Sequence, residues 1–329
     1  MHLNTLKNKI FEIQNDTEFN EIALEIFRYQ YNNNHIYKQF IDINDFKISE
    51  INHYKSIPFL PIEFFKTHKI LTSNIIPEMF FESSGTSGMT RSRHFISNID
   101  IYEKSFLKGF EAFYGNIEKY CLIALLPNYQ EQKNSSLIYM INKLVAATKN
   151  TDSGFYLYNL ENLAKKLTEL NTKKQQTILF GVTYALLDLA ENFPVNIPET
   201  IIFETGGMKG RRKEMIREEL HKTLKKAFKV NTIHGEYGMT ELLSQAYSKE
   251  NGRFYAPKWM KILIRETNDP FSILDNNKTG GINIIDLANI ESCSFIATQD
   301  LGIVLKDGSF EISGRFDNSD IRGCNLMHI

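Results

Sequence analysis

A chain of 329 residues with 42% apolar and 23% charged side chains is long enough to bury a substantial core and too apolar to remain disordered. A formal net charge of -1 removes the electrostatic footprint of a protein that binds nucleic acid or an anionic membrane surface. The opening MHLNTLKNK has no apolar stretch behind its lysines, and the longest apolar run, Cys121 to Leu126, falls far short of a bilayer span, so a cytoplasmic protein without a membrane span is expected.

Phe19, Ile22, Ala23, Ile26 and Phe27 recur at the spacing of one buried helix face, with Asp16 or Thr17 as the expected cap. From Ile57 the text becomes PFLPIEFFK, where two prolines interrupt an aromatic run and favour an extended, packed connection over a helix. A boundary near Leu71 closes a helical N-terminal region, residues 1–71, packed on the core formed by 72–329.

Strand patterns then alternate with helical ones. Cys121 to Leu126 precedes a helix from Leu137 to Ala147, and Phe155 to Tyr158 precedes another from Leu160 to Leu170. Further strands are expected at Ile178 to Phe180, Ile201 to Phe203 and Val230 to Ile233, an order that predicts a wound α/β sheet. Ligands on such sheets lie beyond the carboxyl ends of the strands. After Glu241 short strands and turns around Asn276, Gly280, Asp307 and Gly308 predict a smaller β-rich subdomain over about 242–329.

Five segments carry chemistry. In FESSGTSGMTRSRH, Phe81 to His94, two glycines permit tight turns, hydroxyls donate, and exposed amides can wrap phosphate oxygens beside Arg91 and Arg93. The Lys-Ser/Thr ending of a Walker loop is missing, and by composition alone an ordinary surface turn is an equal reading. IIFETGG, Ile201 to Gly207, runs a buried strand into paired glycines that let a flat ring approach the backbone, although a plain strand-to-helix turn has the same signature. HGEYGMTE, His234 to Glu241, offers a stacking tyrosine, a threonine hydroxyl and a carboxylate that is compatible with phosphates only through a cation such as Mg2+. In IATQDLG, Ile296 to Gly302, and EISGRFDNSDIRGCN, Glu311 to Asn325, Asp300 can accept from two ribose hydroxyls and Arg315 can pair with ribose or α-phosphate; read singly, each is an ordinary turn residue or surface ion pair.

In this order the segments resemble the adenylate-forming superfamily of acyl-CoA synthetases and firefly-type luciferases, and within it the acyl-protein synthetase (LuxE) family of long-chain fatty acid to protein ligases. The words that carry the second likeness are IPFLPIEFFK, ESSGTSGMTRSRH, LLPNYQEQKNSSLIYM, LFGVTYALLDL, ETGGMKGRRKE, EYGMTELLSQ and GRFDNSDIRGCNL, from about Ile57 to the last residues.

The resemblance implies ATP and Mg2+ as cofactors and a carboxylic, fatty acid as substrate. Ser83, Ser84, Gly85, Thr86, Ser87 and Gly88 would hold the β- and γ-phosphates, with Arg91 where the superfamily usually has lysine. Adenine would lie between Gly206–Gly207 and Tyr237, within a nucleotide site that includes Glu236 and Gly238. Thr240 would bond the α-phosphate, Glu241 would hold Mg2+, Asp300 would clamp the ribose and Arg315 would steady it. His234 is a candidate to face the substrate carboxylate, with a core histidine as the bland alternative, and Gly181 with Thr183 would line the acyl pocket.

Larger superfamily members continue into a mobile C-terminal domain with a lysine that assists adenylation; no counterpart is assigned here, and Arg91, Arg93 or Arg322 are candidates for its charge. The family also implies a cysteine near the C-terminus that takes the acyl group before delivery to a reductase partner. Cys324 fits by position and by its neighbour Arg322, against a bystander reading of equal standing. Cys121 and Cys293 read as packing cysteines. Rival readings are delivery to coenzyme A or to a carrier protein's pantetheine, and a nucleotide-binding module without turnover. The basic stretch Lys209 to Lys229 reads as an amphipathic helix with Ile216, Leu220, Leu224 and Phe228 on its buried face, and Trp259 reads as core.

Overall fold

The computed structural model describes residues 3–72, 76–84, 90–127, 132–206 and 215–316. The chain divides into two compact units, one formed by Leu107–Gly238 and Gln245–Phe254, the other by Met1–Phe106, Met239–Ser244 and Tyr255–Ile329.

In the first of these, parallel strands lie in the order Gly154–Phe155, Cys121–Leu125, Thr177–Val182, Ile201–Thr205 and His234–Tyr237, followed by the antiparallel strand Ala246–Ser248. Every residue of Cys121–Leu125 and Thr177–Val182 is buried, as expected of parallel strands covered on both faces. The connecting helices are Ser136–Ala147, Leu160–Thr172, Thr183–Asn192 and Arg217–Phe228. The wound α/β expectation is met.

Several local readings are corrected. The strand expected at Phe155 to Tyr158 is Gly154–Phe155, and Tyr158 is exposed. Val230 and Ile233 are buried, but the ladder starts only at His234, opposite Phe203, after Lys229 has ended the preceding helix in a left-handed conformation. Ile216 is 67% exposed: it occupies the N-cap of Arg217–Phe228 and so falls outside the apolar face made by Leu220, Leu224 and Phe228.

The other unit is built on antiparallel strands in the order Ile273–Leu274, Met260–Arg265, Thr279–Asp286, Phe295–Val304 and Phe310–Arg315. Gly280 lies inside a strand and not at a turn, and glycine is required there because a Cβ would stand 2.2 Å from the Arg265 carbonyl oxygen. Leu60–Pro61 adds in parallel beside Ile296 and Ala297, and a short helix, Phe64–Thr67, follows, so PFLPIEFFK is extended only in its first half. A separate hairpin joins Met79–Glu82 to Arg93–Ile96.

The N-terminal helix Asp16–Asn33 buries Phe19, Ile22, Ala23, Ile26 and Phe27, and its cap is Asn15, whose side chain accepts from the Glu18 amide, in place of the expected Asp16 or Thr17. Buried Gln30 donates to the carbonyls of Asn289 and Ile290 and accepts from the Ser294 amide, so the helix is fixed to this sheet by directional bonds as well as by apolar contact. Tyr37 stacks on Phe295 and donates to the Pro58 carbonyl at 2.6 Å. Trp259 is core, edge-on to Phe11. Among the described residues no helix is long and apolar enough to cross a membrane.

Candidate functional site

Four of the chemically marked segments meet in the unit that holds the antiparallel sheet. The hairpin pairs Phe81 with His94 and Glu82 with Arg93, which makes it the base of the hydroxyl-rich loop. Ser83 and Ser92 close that base, with each backbone amide donating to the other residue's oxygen, both at 3.0 Å. Arg91 and Arg93 both donate to the Glu82 carboxylate at 3.0 Å, and hydrogen bonds from the two guanidiniums hold Glu82 below the usual carboxylate range. Ser84 is exposed at the mouth of the loop; Gly85, Thr86, Ser87 and Gly88 lie outside the described residues.

Glu241 is the point on which these elements converge. It is 5% exposed, and burial raises its carboxyl pKa against the hydrogen bond from Ser92 and the positive charges of Arg315 and Lys66. The Thr240 carbonyl accepts from His94 Nδ1 at 2.9 Å, and the Glu241 carbonyl accepts from buried Asn289 at 2.8 Å. Downstream, the Asp286 carboxylate accepts from the amides of Leu243 and Ser244 and from the Ser244 hydroxyl, which itself accepts from the Trp259 indole at 2.9 Å. This turn is therefore held on both sides by groups whose loss would leave buried polar atoms unpaired.

Asp300 and Arg315 are register partners, with Arg315 Nε 3.0 Å from Asp300 Oδ1. The adjacent Gly302 permits close strand approach, since a Cβ would stand 2.4 Å from the Glu311 carbonyl oxygen. Ser92, Glu241, Arg315 and Asp300 thus bring residues from across the sequence into one polar cluster. Among the described residues no group of three or more His, Cys, Asp or Glu side chains could hold a metal by itself.

In the parallel-sheet unit, the carboxyl ends of Ile201–Thr205 and His234–Tyr237 lie side by side, with Glu204 opposite Gly235. Gly206 turns away with φ 75, a conformation that favours glycine, and Gly207 lies outside the described residues. Glu236 accepts from the Thr205 hydroxyl at 2.7 Å, and its other oxygen would stand 2.5 Å from a Cβ at Gly238, so Gly238 makes room for this carboxyl. Burial, aided by the charge of Glu204, pushes Glu236 up to about 7. Glu204 accepts from the Thr183 hydroxyl and is held below the ordinary carboxylate range, against burial, by His221, Thr183 and Arg217. Tyr237 is buried beside Phe254.

His234 is enclosed by Tyr114 and Phe203, with Nδ1 3.0 Å from the Tyr114 hydroxyl, and burial depresses its pKa to about 4. Gly181 packs under Leu186 and Thr183 is buried. Cys121 and Cys293 are buried as expected, and Cys324 lies outside the described residues. Sequence reasoning assigned no role to Ser92, His94, Glu204 or Thr205; each acts through partners distant in the chain, which motif spacing does not reveal.

Comparison with known proteins adds the family. The description "Acyl-protein synthetase, LuxE" matches residues 6–328. No curated protein sequence matches. Among solved structures, ATP-bound MatB from Rhodopseudomonas palustris superposes with TM-score 0.54 at 15% identity over 72% of this chain and 47% of its own. A 2-hydroxyisobutyryl-CoA ligase in complex with 2-HIB-AMP and CoA gives TM-score 0.65 at 13% identity over 92% of this chain and 71% of its own. The luciferase-like enzyme of the Zophobas morio mealworm gives 0.52 at 17%, over 77% and 61%. At these identities the likeness establishes the fold alone, an α/β architecture shared with these structures, and the chain spans about half the length of the MatB structure. With the family description matching from residue 6 to residue 328, the chain belongs to the LuxE acyl-protein synthetase family.

Proposed function

We propose that this protein activates a carboxylic acid, with fatty acids as the expected class, by forming an acyl adenylate from ATP, and then passes the acyl group to a thiol. The observation that carries the reading is the convergence on Glu241 of Ser92 from the loop base, Arg315 from the last strand and, through Arg315, Asp300. A buried carboxylate beside one hydroxyl and the charges of one arginine and one lysine is a poor structural device by itself, because burial penalises its charge. It becomes useful beside a cation and phosphate oxygens.

The donor chemistry fits Mg2+, which is commonly held by one or two carboxylates together with substrate phosphates. Glu241 would hold it, and bound there it would neutralise phosphate charge. Ser83, Ser84 and the loop from Gly85 to Gly88 would engage the β- and γ-phosphates, with Arg91 exchanging part of its pairing to Glu82 for phosphate. Thr240 would bond the α-phosphate, and Asp300 with Arg315 would fix the ribose. Gly206, Gly207, Glu236, Tyr237 and Gly238 would frame the adenine.

With the nucleotide so held, a carboxylate oxygen attacks the α-phosphorus and pyrophosphate leaves, a step governed by positioning and charge. A thiolate then attacks the acyl carbon and AMP departs. Cys324 is the proposed first acceptor, with a reductase, an acyl carrier protein or coenzyme A as the onward partner. The test is a pyrophosphate-release and exchange assay over a panel of carboxylic acids, with and without coenzyme A. Acid-dependent exchange without coenzyme A supports the reading; a thioester formed only with coenzyme A moves the acceptor to that cofactor, and ATP binding without exchange removes the activity.

A further inference from the structure

His94 closes the first marked segment with no role assigned to it there, yet its ring links that segment to the Thr240–Glu241 turn. It lies in the strand that closes the hydroxyl-rich loop, opposite Phe81, and its Nδ1 meets the carbonyl of Thr240, 146 residues away, at 2.9 Å. A carbonyl only accepts, so Nδ1 carries the proton and Nε2 presents a lone pair. The ring is 0% exposed and edge-on to Phe65, and burial holds it neutral, with its pKa at about 4.

Nε2 is buried and has no hydrogen-bond partner in the protein. Among the other buried polar atoms in that condition, two belong to its neighbours: the Ser97 hydroxyl and Glu291 Oε2, while the second oxygen of Glu291 is taken by Lys7 at 2.7 Å. His94, Ser97 and Glu291 all line one small cavity, with Ile101, Leu243 and Ala288 as apolar walls and space on the scale of a single water. The inventory of free valences suits one water: it donates to the imidazole lone pair and to the carboxylate, and accepts from the serine hydroxyl. Buried groups of this kind are seldom left unpaired.

We propose that His94 is a positioning residue that fixes the base of the hydroxyl-rich loop to the Thr240–Glu241 turn, with its ring held by one buried water shared with Ser97 and Glu291. Two ties then join this strand and the residue before it to the same turn: Ser92 to the Glu241 carboxylate, and His94 to the Thr240 carbonyl. The consequence rests on the nucleotide reading above: loop and turn engage Mg·ATP as one piece, so loosening His94 weakens nucleotide engagement more than it slows the chemical step.

The test compares His94→Asn, whose amide can donate from the position of Nδ1, with His94→Gln, whose amide reaches the position of Nε2 and leaves the Thr240 carbonyl without its donor. In acid-dependent pyrophosphate exchange, the KM for Mg·ATP should rise about tenfold in His94→Gln and stay within about threefold of the wild-type value in His94→Asn, with kcat within about twofold in both. Ser97→Ala, which removes one support of the water, should raise KM about threefold. Equal KM values for the Asn and Gln variants, or a loss confined to kcat, would overturn the proposal. Melting curves of the three variants identify a loss that merely follows unfolding, and in that event the Asn against Gln ratio decides. A wild-type protein that neither binds nor exchanges ATP would sink the nucleotide reading and this coupling with it, whereas wild-type exchange with indifferent variants would sink the coupling alone.

Discussion

Arg315 Nε stands 3.0 Å from Asp300 Oδ1 across adjacent antiparallel strands, yet the arginine side chain is 70% exposed and the aspartate 11%. An ion pair so open on one side contributes about 1 kcal/mol or less to folding, because water competes for the guanidinium. In the proposed function its worth lies in presenting a fixed carboxylate to the ribose. Asp300→Ala should therefore change stability by no more than about 1 kcal/mol while raising the KM for ATP about tenfold or more. Denaturant melts together with pyrophosphate exchange measure both quantities, and a variant that is destabilised but kinetically normal would show that the carboxylate is structural.

Glu241 presents the opposite balance. Its carboxyl is nearly enclosed, and burial raises its pKa despite Ser92, Arg315 and Lys66. Replacing it by glutamine removes the buried charge and keeps an oxygen for Ser92. Glu241→Gln should fold at least as stably as the wild type, lose about a hundredfold or more in exchange rate, and demand more Mg2+ for what remains. Titrating Mg2+ at saturating ATP gives the answer, and an unchanged metal requirement would remove Glu241 from that role.

The fold was legible where burial and backbone pairing coincide. Cys121–Leu125 and Thr177–Val182 are unbroken apolar runs because both faces are covered, and this pattern survives in the text. It failed where the two separate: Val230 and Ile233 are as buried as strand residues but form no ladder, and Ile216 continues a helical period while standing outside the helix. Gly280 looked like a turn because nothing local reveals the Arg265 carbonyl against its Cα. In the candidate site, Thr240, Glu241, Asp300 and Arg315 were legible through their motifs. Ser92 and His94 were not, because their partners at Glu241 and Thr240 lie more than a hundred residues away.

The proposed acceptor thiol, Cys324, is tested by elimination. Cys121 is fully buried with its thiol pushed above the ordinary range by burial, and Cys293 is pushed up to about 12 by the same cause, so neither readily forms a thiolate. Incubation with ATP and a labelled fatty acid should give a hydroxylamine-sensitive acyl-enzyme that Cys121→Ala and Cys293→Ala retain and Cys324→Ser lacks. Undiminished label in Cys324→Ser would remove this residue from the transfer.

Two kinds of buried group give stability opposite slopes against pH. His94 and His234 titrate at about 4 in the folded protein against 6.5 when unperturbed, so between those values the unfolded chain binds more protons and stability rises with pH. Glu236 titrates at about 7 in the folded protein against 4.5, with Thr205 lowering and Glu204 raising that value. Between 4.5 and 7 the folded state therefore binds the extra proton, and stability falls as pH rises. Glu236→Gln retains an acceptor for the Thr205 hydroxyl and removes only the falling limb. Relative to wild type, the variant should be nearly neutral at low pH and gain on the order of 2 kcal/mol above neutrality, a figure reduced from the full linkage value because the residue keeps partial exposure. Urea melts of both proteins across this range measure the difference, and a gap that stays constant with pH would mean that Glu236 is already ionised at the strand end.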